Sequence, residues 1–197
     1  MKLFAVIDTN VIVSSMITRN PVSPTRRILD EIRDGIIVPM INQDVFEEYT
    51  DVLSREKFRF ACTDIVQMLK LFDDKGQRYV PNCLRQDFID LNDVIFYETY
   101  KMRNDAYLIT GNLKHFPQEA RIVSPSDMIN ILNVAYKTSG DMLNEPGLQY
   151  IPSSIHITWE AVERMRASAV ANGVSDMSME EIDEEIRQYR EERRSRL

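Results

Sequence analysis

The stretch Leu3-Phe4-Ala5-Val6-Ile7-Asp8-Thr9-Asn10 constrains the fold of this chain more than any other. Five successive apolar residues are too few for an ordinary helix and show no polar alternate face. They predict a strand buried on both sides, as in a parallel sheet covered by helices. The run stops at an acid followed by two hydrogen-bonding residues. In open parallel sheets, ligands and chemistry collect beyond the carboxyl ends of the strands. Asp8 is expected at that edge, with Thr9 and Asn10 holding its carboxylate. The alternative is that Asp8 merely caps the next helix.

The following segments repeat the theme. Val11–Ile17 starts a short helix that Asn20-Pro21 breaks. Ser23-Pro24 restarts one with a serine cap and proline in the first turn. Gly35 ends it before a second buried strand, Ile36-Ile37-Val38, closed by Pro39. A strand, a helical crossover and a second strand form a right-handed parallel unit. Asn42 or Asp44 caps a helix reaching about Leu53, and Ile65, Met68, Leu69 and Phe72 mark another. Tyr79-Val80 is a weak strand candidate. Asp93 starts a helix whose buried face is Ile95, Phe96, Thr99 and Met102. Ala106–Ile109 is a strand ending in Thr110-Gly111-Asn112, Ile122-Val123 is a last short strand, and Ser124 caps a helix through Leu132. Alternation of this kind over residues 1–132 indicates an α/β sandwich with a mostly parallel sheet.

Residues 133–153 lose periodicity and gain Gly140, Pro146, Gly147 and Pro152, the composition of a linker. Residues 154–197 form a helical extension. Thr158 is the expected cap of its first helix, stapled by Ile157 and Val162, and Gly173 the end. The second helix has the capping box Ser178-x-x-Glu181, with Met177 and Ile182 as a staple.

Several function classes are excluded or disfavoured. No apolar run reaches the length of a membrane span. Asp8 interrupts the first apolar run without a small-residue cleavage site, so no secretory leader is expected. Cys62 and Cys83 lack metal-ligand spacing and read as reduced thiols of a cytoplasmic protein. His115 and His156 are single; His115, beside Phe116-Pro117, reads as structural. Trp159 and the Val162/Met165 stripe read as helix packing. The net charge of −7 argues against holding nucleic acid by bulk electrostatics. A phosphate-containing substrate must then be met by a local basic patch or by bound cations.

Acidic or amide groups recur at matching places: Asp8 after the first strand, Glu48 on the helix after the second, Asp93 at a helix start, Asn112 after a later strand. If they converge on one sheet edge, carboxylates without a lysine among them repel. The natural resident is a hard divalent cation, Mg²⁺ or Mn²⁺, bound through oxygen. Each acid taken singly is also explicable as a cap or a surface charge. Arg55, Lys57 and Arg59, with Phe58 and Phe60 interleaved, can steer and stack single-stranded RNA; a solvated loop is the alternative.

Four segments together resemble a known family. They are Val6-Ile7-Asp8-Thr9-Asn10-Val11, Glu48-Tyr49-x-x-Val52-Leu53-Ser54-Arg55-x-Lys57-Phe58, Asp90-x-x-Asp93, and Leu108-Ile109-Thr110-Gly111-Asn112-Leu113-Lys114-His115-Phe116-Pro117. In this order they make residues 1–132 similar to a PIN domain, the fold of metal-dependent ribonucleases that includes many toxins of toxin–antitoxin pairs. The resemblance implies a PIN-like three-layer sandwich. It places Asp8, Glu48 and Asp93 on the metal, with Asn10, Asp90 and Thr110 as auxiliaries. Many PIN domains carry aspartate where this chain has Asn112. The substitution bears on a second metal and on the level of activity more than on the fold.

The function implied is a Mg²⁺- or Mn²⁺-dependent endoribonuclease, the toxin component of a toxin–antitoxin system, leaving a 5′-phosphate. The alternative is an inactive PIN-like module that binds RNA or a protein partner, and self-association is expected in either case. A phosphatase of the Asp-x-Asp kind needs an acid where Asn10 stands, and no glycine-rich dinucleotide fingerprint follows the first strand. The run from Asn172 to Ile186 is similar to the tails of some small antitoxins. The second tail helix carries Ile182, Ile186 and Tyr189 on one face, with Arg187 and Arg190 nearby. It is expected either to dock over the acidic pocket of its own or a neighbouring subunit, inserting an arginine, or simply to extend the core or make a dimer contact.

Overall fold

The computed structural model describes residues 2–80, 93–140 and 153–195. The opening apolar run is strand β1, Leu3–Ile7, and it lies at the centre of a five-stranded sheet. Its neighbours are β2 (Ile37–Ile41) and β4 (Tyr107–Ile109); β3 (Gln77–Arg78) and β5 (Ile122–Val123) complete the order β3-β2-β1-β4-β5. Every pairing is parallel, with Ala5 opposite Pro39 on one side and Tyr107 on the other. Parallel pairing brings the carboxyl ends of β1, β2 and β4 to one edge, so Asp8, Asn42 and Thr110 follow their strands on the same side.

Helices flank this sheet as α1 (Thr9–Ile17), α2 (Pro24–Arg33), α3 (Gln43–Leu53), α4 (Cys62–Lys75), α5 (Val94–Lys101) and α6 (Pro125–Gly140), giving a three-layer α/β sandwich. Local chemistry sets most boundaries. Asn42 Oδ1 accepts from the backbone N–H of Val45 at 2.7 Å and caps α3. Gly35, at φ +74°, turns the chain out of α2. That left-handed conformation favours glycine.

Some expectations shift. Pro39 lies inside β2 rather than closing it; β3 pairs only with Met40 and Ile41, so no ladder partner claims the N–H that proline lacks. The edge strand is Gln77–Arg78, and Tyr79 adds one further bond to Ile41 O. Met102 is exposed and Ile95 only partly buried, because Tyr97 and Tyr100 take the inner face of α5. Helix α6 runs to Gly140, eight residues into the expected linker.

The extension is helices α7 (Ser153–Ala171) and α8 (Met179–Arg194). Thr158 is interior to α7, not its cap, while Gly173 at φ +73° ends it as expected. Both halves of the Ser178–Glu181 capping box form. These helices do not stand apart. Val162, Met165, Ala169, Ile182 and Ile186 are buried in the same apolar core as β1 and α1. Arg164 bonds Asp64 of α4 at 2.7 and 2.9 Å, and the Trp159 ring lies under the guanidinium groups of Arg33 and Arg166. The core therefore includes the extension.

Met165→Ala is expected to cost about 2–5 kcal/mol, the usual loss for emptying a packed core position. Urea unfolding followed by Trp159 fluorescence and by far-ultraviolet circular dichroism should give one shared midpoint, lowered in the variant. Two separate transitions, with only the Trp159 signal displaced, would contradict a single core.

Candidate active site

The cluster at the sheet edge is built from the backbone outward. The amide of Asp8 bonds Ile109 O at 2.9 Å, which fixes the end of β1 against β4. Asp8 occupies the cap position of α1 but makes no capping bond with its side chain. Its Oδ2 instead accepts from Thr110 Oγ1 at 2.6 Å. Thr110 Oγ1 also accepts from the backbone N–H of Asn112 at 3.0 Å. The expectation that the Thr9 and Asn10 side chains hold Asp8 is corrected: Thr9 donates to Glu48 Oε1 at 2.7 Å, and Asn10 turns elsewhere. The hydroxyl of Thr9 rises on the first turn of α1, which faces α3. The hydroxyl nearest Asp8 comes from the adjacent strand.

Asp8, Glu48 and Asp93 are all buried; Glu48 and Asp93 bond one guanidinium, Arg190 of α8, whose charge also acts on Asp8. Arg190 Nη2 and Nε donate to Glu48 at 2.8 and 3.2 Å, and Nη1 donates to Asp93 Oδ1 at 2.9 Å. Burial pushes the Asp8 and Glu48 carboxyls above their usual range, against the pull of Arg190. Burial disfavours the charged guanidinium too, but the carboxylates outweigh it and hold Arg190 charged. Burial with two adjacent acids also keeps the Tyr49 phenol protonated, and it donates to Ile7 O at the end of β1.

A cleft of about 270 Å³ opens beside this cluster, lined by Asp8, Asn10, Asp93, Asn112, His115 and Asp183 among others. His115 Nδ1 is 3.1 Å from Asp93 Oδ2, and Asn112 Nδ2 is 2.8 Å from His115 Nε2. An amide nitrogen can only donate there, which fits the tautomer with its proton on Nδ1. His115 thus stands in the cleft, held between Asp93 and Asn112. Asp183, raised above the usual carboxylate range by burial, accepts from Asn10 and Asn112. Among the described residues, no three acids, imidazoles or thiols form a ready metal cage, because the oxygens surround a guanidinium.

Other expected residues disperse. Asp90 lies outside the described residues. Arg55 is drawn to α8, bonding Glu185 at 2.6 Å and Glu192 at 3.2 and 3.3 Å; Lys57 is 3.9 Å from Glu185. Arg59 adopts φ 49° in the exposed turn. Phe58 and Phe60 do not stack bases: both are buried, ring against ring at 5.7 Å. Arg187 pairs with Glu184 and Glu191 on its own helix. Asp183 carried no signal as a site residue, being one of several acids in the acidic first half of α8.

Residues 5–114, more than half of the chain, match the PIN domain family. No curated protein and no solved structure matches the chain.

Asn112→Asp tests the cleft's electrostatics. It sets a second carboxylate about where the amide now meets Asp183 at 3.3 Å. Two carboxylates that close share a proton, raising the folded-state pKa of one. A raised acid stabilises the fold below its unfolded pKa and loses that contribution as pH rises through the folded value. The stability deficit of the variant should therefore be largest at neutral pH and shrink on acidification, with Asp183→Asn removing it. A deficit independent of pH in thermal melts would show that the two side chains do not meet.

Proposed function

The chain belongs to the PIN-domain family, a family of nucleases, and we propose that it is a Mg²⁺- or Mn²⁺-dependent endoribonuclease of the toxin type, held closed by its own C-terminal helix. One observation carries this reading: two buried carboxylates, Glu48 and Asp93, bond a guanidinium borne on α8, and a third, Asp8, is buried within reach of its charge. The donors are hard oxygens throughout, which suits a divalent ion of this kind. Asp8, Glu48 and Asp93 would hold it once Arg190 has withdrawn. When bound, such an ion would activate a water and supply positive charge for the phosphate.

The chain's own groups do the positioning. Thr110 and Thr9 hold the carboxylates of Asp8 and Glu48 in place by hydrogen bonds. His115, set by Asn112, stands against Asp93 on the open side. In the closed arrangement Arg190 neutralises the acids, and the apolar face of Ile182 and Ile186 seats the helix. Tyr189 adds a bond to Asp51 at 2.7 Å. Because α8 is covalently attached, it acts at a high effective concentration. The alternative of an inactive binding module draws on Asn112, which brings no charge to the fourth position.

Arg190→Ala in the full chain separates the two. Removing one partner of a buried ion pair costs on the order of 3 kcal/mol, so the variant should melt lower without metal. Mn²⁺ should then restore stability in the variant far more than it stabilises the parent chain. The variant should cleave RNA faster than the parent, with activity lost in EDTA and on adding Asp8→Asn. Undiminished cleavage in EDTA would remove the metal from the reading. Mn²⁺ binding without cleavage would leave the binding module.

A further inference from the structure

Helix α8 brings carboxylates as well as Arg190, and their partners form a pattern. Asn10 Nδ2 donates to Asp183 Oδ1 at 2.8 Å, and Asn112 Nδ2 donates to Asp183 Oδ2 at 3.3 Å. Asn10 is fixed in that sense, and Asn112 lies between Asp183 and the His115 ring. Asn10 Oδ1 is taken by the backbone N–H of Gly111 at 3.1 Å, and Asn112 Nδ2 also meets His115. Two NH₂ groups therefore point at one place in the cleft, and an anion stands there. Neutral donors suit an anion beside three acids, since a lysine or arginine there would be captured by the carboxylates. A second anion position lies along the same helix, where Arg55 takes Glu185 and Glu192, with Lys57 nearby.

The surface under α8 thus offers one place for a cation and two for anions. A phosphodiester chain carrying a metal ion has the same alternation. We propose that Asn10 with Asn112, and Arg55 with Lys57, are two phosphate-binding positions for a single-stranded RNA backbone, which Asp183 and Glu185 now occupy as carboxylate stand-ins. Placing the scissile phosphate at the amide pair rests on the nuclease reading; the two anion positions do not. The proposal gives Asn112 a role that an aspartate could not fill, because a carboxylate would repel both the stand-in and the phosphate. With Phe58 and Phe60 buried, recognition here is of backbone charge and is tolerant of base sequence. Gly111 is part of the same fit: a Cβ there would come within 2.5 Å of Met179 Sδ at the start of α8.

The test is binding of a short, labelled single-stranded RNA to full-length protein in EDTA, read by fluorescence anisotropy, so that cleavage plays no part. Asp183→Asn with Glu185→Gln should bind about tenfold tighter than the parent, a gain of about 1.4 kcal/mol. In that background, Asn112→Ala and Arg55→Ala should each weaken binding about fivefold or more, on the scale of a lost hydrogen bond. Arg55→Ala should also lower the slope of log affinity against log salt by about 0.7, one phosphate contact to a single strand. Asn112→Ala should leave that slope unchanged. Lys57→Ala, at an exposed position, repeats the Arg55 arm should Arg55→Ala melt early. Equal affinity of the parent and the doubly neutralised chain would overturn the proposal, as would indifference to both Asn112→Ala and Arg55→Ala or Lys57→Ala. RNA binding that follows these rules in a chain that never cleaves with any divalent ion counts against the nuclease reading and supports this one.

Discussion

Mutual repulsion among buried carboxylates is the constraint on which the rest of this structure depends. Asp8, Glu48 and Asp93 sit at 5%, 2% and 2% exposure, where an ionised acid without a counter-charge is costly. The fold forces them together because parallel strands end at one edge and the connecting helices begin there. Something positive must join them. Here the chain provides it from its far end, and Arg190 must be carried across the top of the sheet to reach them. The tail is therefore held by the charge problem of the domain as well as by the burial of Ile182 and Ile186.

That arrangement accounts for features that are odd taken singly. A net-negative chain keeps Arg55 and Lys57 together beside its acidic cleft, and α8 answers them with Glu185 and Glu192. A helix with acids early and arginines late satisfies its own dipole. The same polarity sets Asp183 against amides near its start and Arg190 against carboxylates near its end. Asn112, a departure if the domain is considered alone, is a donor matched to Asp183 once the tail is considered with it.

Much of the fold was legible because local rules and tertiary structure agreed. The unbroken run before Asp8 specified a central strand, Asn42 and Ser178 marked helix starts by their capping chemistry, and Gly35 and Gly173 marked ends. Pairings between elements were less legible. Whether Thr9 or Thr110 serves Asp8 depends on which hydroxyl the neighbouring strand presents, and spacing along one chain carries no such information. Phe58 and Phe60 alternate with basic residues in a manner that fits a nucleic-acid loop, yet the turn folds both rings inward. Pro39 is tolerated in β2 only because β3 is two residues long. Thr158 fits a cap pattern, but α7 begins earlier, and side-chain propensity did not disclose it. The three acids could be gathered from sequence, and an arginine of the second tail helix is one of the expectations for them; that it is Arg190 and not Arg187 follows only from how α8 packs.

The order of synthesis gives the buried ion cluster a history. Asp8, Glu48 and Asp93 are synthesised well before their counter-ion, since Arg190 lies 97 positions beyond Asp93. At roughly 5–20 residues per second, the nascent chain spends some seconds with its acids made and their guanidinium not yet joined to it. Over that interval the balancing charge must come from somewhere other than α8. The cluster is completed only once α8 has been made, and the helix that neutralises the site is the one that brings Ile182 and Ile186 into the core.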